Sequence, residues 1–308
     1  MLIEITLVIT CFNERHSVQK WVESFLKMHS QPSEIIVVDS ESTDGCMDLF
    51  VRLMSPFSGS LRVIKQKCNI SSGRNIAIRE ARNDKIAITD FGVTFSNVWL
   101  QEVYYTLTNY PVCAGVYEYR GNTLIQKSYA KLFSPDIERL DPKNFNPSSR
   151  SFGLRRSVVE AIGFYDEKLT IGEDTEFVLR LKEQNLNFGL NKKAIVYWEP
   201  RKSLRDIFRQ HFDYAYWDAI ADQNRGRLKH VIYLITLLLI FVVFFVISNF
   251  AFALFVTTSV SSLIVFRKIL LGMKSFNIIT LVMIYNLSLT SSALGYMYAK
   301  IKKLFVSF

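Results

Sequence analysis

Residues 5–14 read ITLVITCFNE, and residues 34–45 read EIIVVDSESTDG. Each begins as an unbroken run of β-branched and apolar residues, the pattern of a strand buried on both faces of a parallel sheet. Each run then ends in polar groups: Thr10, Asn13 and Glu14 after the first, Asp39, Ser40 and Asp44 after the second. Between them, Arg15 to Met28 carries Val18, Val22, Phe25 and Leu26 at helical spacing. Ser42-Thr43-Asp44-Gly45 opens another helix, Leu61 to Lys65 makes a third strand, and Gly73-Arg74-Asn75 begins a helix through Arg82. Lys85 to Thr89 is a fourth strand, ending at Asp90. This alternation predicts an α/β fold built on a doubly wound, mostly parallel (Rossmann-like) sheet with right-handed crossovers. Ligands of such sheets bind beyond the carboxyl ends of the strands, where these polar residues collect.

The chain has no GxGxxG and no GxxxxGK[ST], so ordinary dinucleotide and P-loop readings lose support. An acid at a strand end can instead accept hydrogen bonds from ribose hydroxyls or a base N–H. Arg74, near a helix start, can meet a diphosphate with its guanidinium and the adjacent backbone N–H groups. The four cysteines, Cys11, Cys46, Cys68 and Cys113, show neither CxxC nor metal-ligand spacing, which predicts reduced thiols. The net charge of +9 is explained by basic residues flanking apolar segments, and no zinc-finger or RNP-type pattern points to nucleic acid.

Charge disappears toward the C-terminus. Val231 to Phe266 is 36 residues without a charge, glycine or proline. One helix of that length would run about 54 Å, far beyond a hydrocarbon core of roughly 30 Å. Two segments, about 231–248 and 250–266, fit with a turn at Ser248-Asn249. Arg225, Arg227, Lys229 and His230 precede them, and Arg267, Lys268 and Lys274 follow, so both flanks belong on the cytoplasmic side. A third segment, about 276–299, is also long enough to span. Crossing outward, it would leave Lys300, Lys302 and Lys303 outside, against the positive-inside trend. Its Ser288, Ser291, Ser292 and Gly295 share a face suited to close helix packing. Ser203 to Asn224 reads as an amphipathic helix for the membrane interface, with packing on the soluble part as the alternative. The expected organisation is an α/β domain over 1–200, an interface helix over 201–229 and a membrane region over 230–308.

Further motifs extend the pattern: Ile88-Thr89-Asp90-Phe91-Gly92, Trp99-Leu100, Phe152-Gly153-Leu154-Arg155-Arg156, Gly163-Phe164-Tyr165-Asp166-Glu167 and Gly172-Glu173-Asp174-Thr175-Glu176-Phe177. With the strand ends and Gly73-Arg74-Asn75-Ile76-Ala77, their order and spacing resemble the family 2 glycosyltransferases of GT-A fold, from Ile5 to about Tyr214. The resemblance implies that Thr10, Glu14 and Asp39 contact the donor nucleoside, Arg74 the base or diphosphate, and Asp90 the ribose or a divalent metal. Asp174 would lie beside the acceptor as general base. Glu173 is expected with it on the acceptor side, while Arg155 and Arg156 read either as contacts to an acceptor phosphate or as solvated surface charges. Mg²⁺ or Mn²⁺ would offset the leaving diphosphate's charge.

This chain departs from the pattern in two ways. The family's Asp-x-Asp stands here as Asp90-Phe91-Gly92, with one carboxylate missing. The Gln-x-x-Arg-Trp motif of processive synthases is absent near Arg209-Gln210-His211, which predicts transfer of a single sugar. The resulting expectation is an inverting, multi-pass membrane enzyme with its catalytic domain in the cytoplasm. It would move one sugar from a UDP- or GDP-sugar to a lipid phosphate or lipid-linked glycan, and self-association is left open. The alternative is a catalytically silent scaffold that keeps the nucleotide-binding fold. Read alone, Asp174 and Glu176 are the charged first turn of a helix.

Overall fold

The computed structural model describes residues 1–142, 145–221, 226–247, 256–257, 260 and 278–306, which group into two compact units. The first comprises Met1–Tyr119 and Pro135–Glu199, the second Arg120–Ser134 and Pro200–Phe308.

The first unit is a mixed eight-stranded sheet between two helical layers. In chain order it contains β1 (Leu2–Cys11), α1 (Arg15–Leu26), β2 (Gln31–Asp39), α2 (Cys46–Leu53), β3 (Ser60–Lys65), α3 (Ile70–Glu80), β4 (Lys85–Asp90), β5 (Val93–Phe95), α4 (Trp99–Asn109) and β6 (Val112–Tyr119). After α5 (Leu124–Phe133), which belongs to the second unit, follow β7 (Phe152–Arg155), α6 (Arg156–Ile162), α7 (Glu173–Glu183) and β8 (Phe188–Trp198). Period-2 alternation divides the core. Ile5, Leu7 and Ile9 pack with Trp21, Phe25, Phe50 and Trp99, while Val8, Ile36 and Val38 pack with Ile78, Val159, Phe177 and Leu181. Because both faces are covered, the strands need the continuous apolar runs from which they were read.

The strand order is β3-β2-β1-β4-β7-β6-β8-β5. β1 is parallel to β2 and β4, as expected, but β7 is antiparallel to both β4 and β6, and β5 is antiparallel to β8. The parallel sheet is therefore interrupted by a short strand at Phe152-Gly153-Leu154-Arg155. Gly153 allows this, because a Cβ there would press into Val103 and Cys113. The order in which strands are added reverses between the parallel neighbours β1 and β4, where Thr10 pairs with Asp90.

The second unit contains α5, α8 (Leu204–Ile220), α9 (Arg227–Ile247) and α10 (Ile278–Val306). α5 lies within the stretch 1–200 that was read as one domain. α8 opens on a Ser203 cap that accepts from Asp206 N at 3.1 Å, and it buries Ile207, Ala215 and Ala219. The small-residue face of α10 packs on it, with Ser288, Ser291 and Ser292 buried. At Gly295, a Cβ would run into the Phe212 backbone carbonyl. The small face thus serves packing within the chain.

α9 and α10 are each long and apolar enough to cross a membrane, and none of α9's most apolar stretch is buried. The two helices run antiparallel. Arg227, at the start of α9, pairs with Asp218 at 2.7 Å, and Tyr216 of α8 meets Tyr298 and Lys302 late in α10. Further along α9, Tyr233 donates to Asn286 at 2.6 Å, early in α10. Lys300, Lys302 and Lys303 therefore share an end with Arg227 and Lys229, unlike the outward crossing considered from sequence. The turn at Ser248-Asn249 and, apart from residues 256–257 and 260, the expected segment 250–266 lie outside the described residues.

Two outcomes follow from this packing. Gly295→Val must separate α8 from α10, and it is expected to cost about 1–3 kcal/mol in detergent-phase unfolding. An unchanged midpoint would remove the close-approach argument. His211, bonded to the Tyr129 hydroxyl at 3.0 Å, has its pKa lowered to about 4, first by burial and then by Arg227 and His230. Its neutral folded form gives stability that is present above pH ~6.5 and lost as pH falls toward ~4. Thermal midpoints measured across that window should fall less steeply in His211→Phe.

Candidate active site

Two loops are stitched together beyond the ends of β1 and β2. Asn13 N donates to Ser42 Oγ at 2.9 Å, Thr43 N donates to Asn13 Oδ1 at 2.9 Å, and Arg15 N donates to Asp44 Oδ2 at 2.9 Å. Asn13 takes φ 55°, within reach of asparagine at a turn. Asp39 is buried, and its Oδ1 accepts from both the hydroxyl and the backbone N–H of Ser42, at 2.5 and 3.2 Å. Asp44 also accepts from Cys46 N at 3.1 Å, so it serves the turn. Glu14 caps the start of α1. Thr10 lies against α3, where a Cβ on Gly73 would sit 2.9 Å from its methyl group. A glycine is needed there for the helix to approach the strand end.

α3 begins a turn earlier than expected, on an Asn69–Ser72 capping box, so Arg74 lies inside the helix. Its side chain is 2% exposed. It does not lie open at a helix start. Nη2 donates to Asp90 Oδ1 at 3.0 Å, and Nη1 donates to Glu173 Oε1 at 2.5 Å. Burial works against the Arg74 charge, but the facing Asp90 and Glu173 carboxylates outweigh it and hold the group protonated. Burial lifts the Glu173 carboxyl above its ordinary range, with Arg74 pulling the other way. Glu173, expected on the acceptor side, is thus a partner of Arg74. Asn75 secures the loop before α7, donating to the Tyr165 carbonyl at 2.9 Å and accepting from Tyr165 N at 2.9 Å.

Asp174 stands in the first turn of α7, after Gly172 at φ 83°. Its Oδ1 accepts from Thr175 N at 2.8 Å, and its Oδ2 accepts from Ser148 Oγ at 3.2 Å. Ser148 in turn accepts from Arg150 Nη1 at 2.9 Å. The Arg150 guanidinium lies 3.8 Å over the Trp198 ring, and its Nε is 4.0 Å from Asp90 Oδ2. Ser148, Arg150 and Trp198 carry no sequence signal for this site. Only the antiparallel β7 and the end of β8 bring them to Asp90.

The structure corrects one expectation. Arg155 pairs with Lys85 at the opposite end of β4 from Asp90. There its guanidinium binds the Leu107 and Thr108 carbonyls, while Arg156 binds the Ala81 carbonyl. Both are bonded at the amino end of the sheet, away from the strand ends that gather Thr10, Asp39 and Asp90.

The side chains at Asp90 do not suit a hard divalent cation, which needs several free oxygen ligands. Both Asp90 oxygens face guanidinium groups, Glu173 is held by Arg74, and position 92 is glycine. Among the described residues, Cys11, Asp39 and Cys46 have ligand atoms within 4.8 Å of one another. Burial and the Cys46 contact push the Cys11 thiol up, and sulfur suits softer ions than Mg²⁺ or Mn²⁺.

Arg74→Met would leave Glu173 buried without its counter-charge. The expected loss is about 3–5 kcal/mol in urea unfolding, with Arg74→Lys milder. A Met variant within about 0.5 kcal/mol of the parent would refute the ion-pair hub, since that is the scatter of neutral substitutions.

Comparison with known proteins completes the picture. The chain is 25% identical over 230 residues to the O-antigen chain rhamnosyltransferase WbaN of Salmonella anatum, covering 68% of this chain and 70% of that one. Its fold is similar to that of S. aureus TarS 1–349 in complex with UDP-GlcNAc, with a TM-score of 0.50 and 16% identity over 69% of this chain and 66% of that one. The model for Glycosyl transferase family group 2 matches residues 147–294. The model for Glycosyl transferase family 2 matches residues 6–163, and with its GT-A fold this chain belongs to that family.

Proposed function

We propose that this glycosyltransferase is an inverting, membrane-bound enzyme that moves a single sugar from a nucleoside-diphosphate sugar to a lipid-phosphate or lipid-linked glycan acceptor. The observation that carries this reading is the ion-pair chain joining Asp90, at the end of β4, to Glu173 and thence Asp174, in the first turn of α7. It ties a strand-end acid to the first turn of α7, and in this reading Asp90 serves the donor and Asp174 the acceptor. The relative from Salmonella is named for rhamnosyl transfer to an O-antigen chain, and the TarS structure is described with a UDP-sugar. The first name agrees with a glycan product and the second with a nucleotide-sugar donor.

In this reading, Thr10, Glu14 and Asp39 line the nucleoside end, and Asp174 faces the acceptor. A hydroxyl acceptor attacks the anomeric carbon as Asp174 takes its proton, inverting the configuration there. Thr175 N and Ser148 Oγ hold the Asp174 oxygens in place for this. The bare α9 meets lipid, with α10 antiparallel to it. Basic groups at their common end then lie on the cytoplasmic side, as the positive-inside rule favours. Holding the enzyme at the bilayer lets it meet a lipid-borne acceptor.

A silent scaffold is the second reading, favoured by Gly92 at the position of the missing carboxylate. Purified protein incubated with labelled UDP- and GDP-sugars and polyprenyl phosphate separates the two. The transferase reading expects label in the organic phase, and binding without turnover on any acceptor favours the scaffold. Asp174→Asn should slow transfer to a hydroxyl acceptor by about 10²–10⁴-fold. Transfer to a phosphate acceptor, already ionised, should slow much less. Equal losses on both acceptors would rule out the proton-removal role.

A further inference from the structure

We infer that Arg150, stacked on Trp198, takes the place of a metal ion in binding the donor diphosphate, so that transfer proceeds without a divalent cation. The inference rests on the transferase reading above and concerns the same site.

Position 92 is the starting point. The family pattern has a second carboxylate there, and this chain has glycine. The nearest atom to a Cβ built on Gly92 is Trp198 Nε1, at 4.0 Å, so nothing steric requires the glycine. The same indole carries the Arg150 guanidinium on its ring. Gly92 and the Arg150 cation thus lie against the same indole.

Arg150 is built into position. Thr89, next to Asp90 on β4, donates its hydroxyl to the Arg150 carbonyl at 2.9 Å. Ser148 Oγ accepts from Nη1 at 2.9 Å, and the Trp198 ring supports the guanidinium plane. The side chain keeps 22% exposure, close to the 24% of Asp90, whereas Arg74 is enclosed at 2%. Of the two arginines at Asp90, Arg150 is the one a ligand can reach. A planar guanidinium presents paired donors that match phosphate oxygens.

The charge argument agrees. A divalent cation at Asp90 would sit close to two guanidinium groups with a single carboxylate to hold it, and like charges repel strongly in a partly dry site. A diphosphate at the same place meets those groups favourably. During transfer the bond from the anomeric carbon to the diphosphate oxygen breaks, and its electron pair stays on that oxygen. The acceptor oxygen forms the new bond to the anomeric carbon, and the proton of a hydroxyl acceptor goes to Asp174. Arg150 donates hydrogen bonds to the oxygen that gains charge, the term a metal otherwise supplies. Ser148 links Arg150 to Asp174, so one hydroxyl orients groups on both sides of the reacting carbon.

The test is titration calorimetry of the full-length protein in detergent with UDP, GDP and dTDP, in EDTA or in Mn²⁺. At least one diphosphate should bind in EDTA, with less than a twofold change when Mn²⁺ replaces it. Arg150→Ala should weaken that binding at least tenfold, and Arg150→Lys should recover part of it, with the circular dichroism spectrum unchanged in both. Where turnover is measurable, Arg150→Ala should also lower kcat by about 100-fold. The double variant Gly92→Asp with Arg150→Ala should bind only with Mn²⁺. Binding by the parent that requires Mn²⁺, or Arg150→Ala binding like the parent, overturns the inference and leaves the transferase reading standing. No binding of any diphosphate in either condition overturns both.

Discussion

A buried arginine between two acids, Arg74 between Asp90 and Glu173, joins the two halves of the catalytic unit. One acid ends a strand of the parallel part of the sheet. The other begins α7, which packs against Phe152 and Leu154 of β7. Removing charged groups from water is unfavourable unless each finds its partners, so the arrangement tolerates little displacement. The loop before α7 is secured separately by Asn75 and by the Ser71 hydroxyl on the Leu169 carbonyl at 2.6 Å. Together these bonds place Asp174 without Asp174 having to hold itself there.

Arg74 is occupied in this way, and the groups left partly exposed nearby are Asp174 and Arg150. Asp174 is oriented by a backbone N–H and by Ser148, and its carboxylate stays partly exposed. Arg150 lies on an aromatic face, and that contact is less sensitive to exact placement than a bidentate ion pair. An enclosed arginine and a more accessible one thus lie on either side of Asp90, at 2% and 22% side-chain exposure.

The first half of the sheet was legible because β1, β2 and β4 are covered on both faces and so must be apolar throughout. Thr10, Asp39 and Asp90 were legible for a related reason: polar residues ending such runs can only lie at the sheet's edge. The antiparallel β7 was not. Its residues 152–155 contain a glycine and an arginine, too short and too mixed for either period to register. That one strand's direction sends Arg155 and Arg156 to the wrong end of the sheet for acceptor contact. It also delivers Arg150, a few residues earlier, to Asp90. Nor could spacing show that Arg74 points inward, because its burial depends on two acids that are distant in sequence. Small residues on α10 were readable as a packing face, whereas their partner, α8, was a matter of tertiary structure.

The route of the chain between the two compact units bears on how they can be divided. Residues 120–134 leave the sheet unit after β6 and form α5 among the C-terminal helices, and the chain then returns to complete the sheet. There Gln126 donates to the Pro200 carbonyl at 2.9 Å, Tyr129 meets His211, and Leu132 packs on Leu281 and Tyr285. A chain cut after Glu199 would therefore retain one helix of the second unit while losing the helices of that unit that it packs against. The cut leaves Tyr129 and Leu132 as an apolar surface in water, on a loop threaded between two strands of the sheet. Autonomy of the catalytic unit is thus limited by covalent connectivity: its boundary crosses the backbone three times, and no single cleavage point separates the two cores.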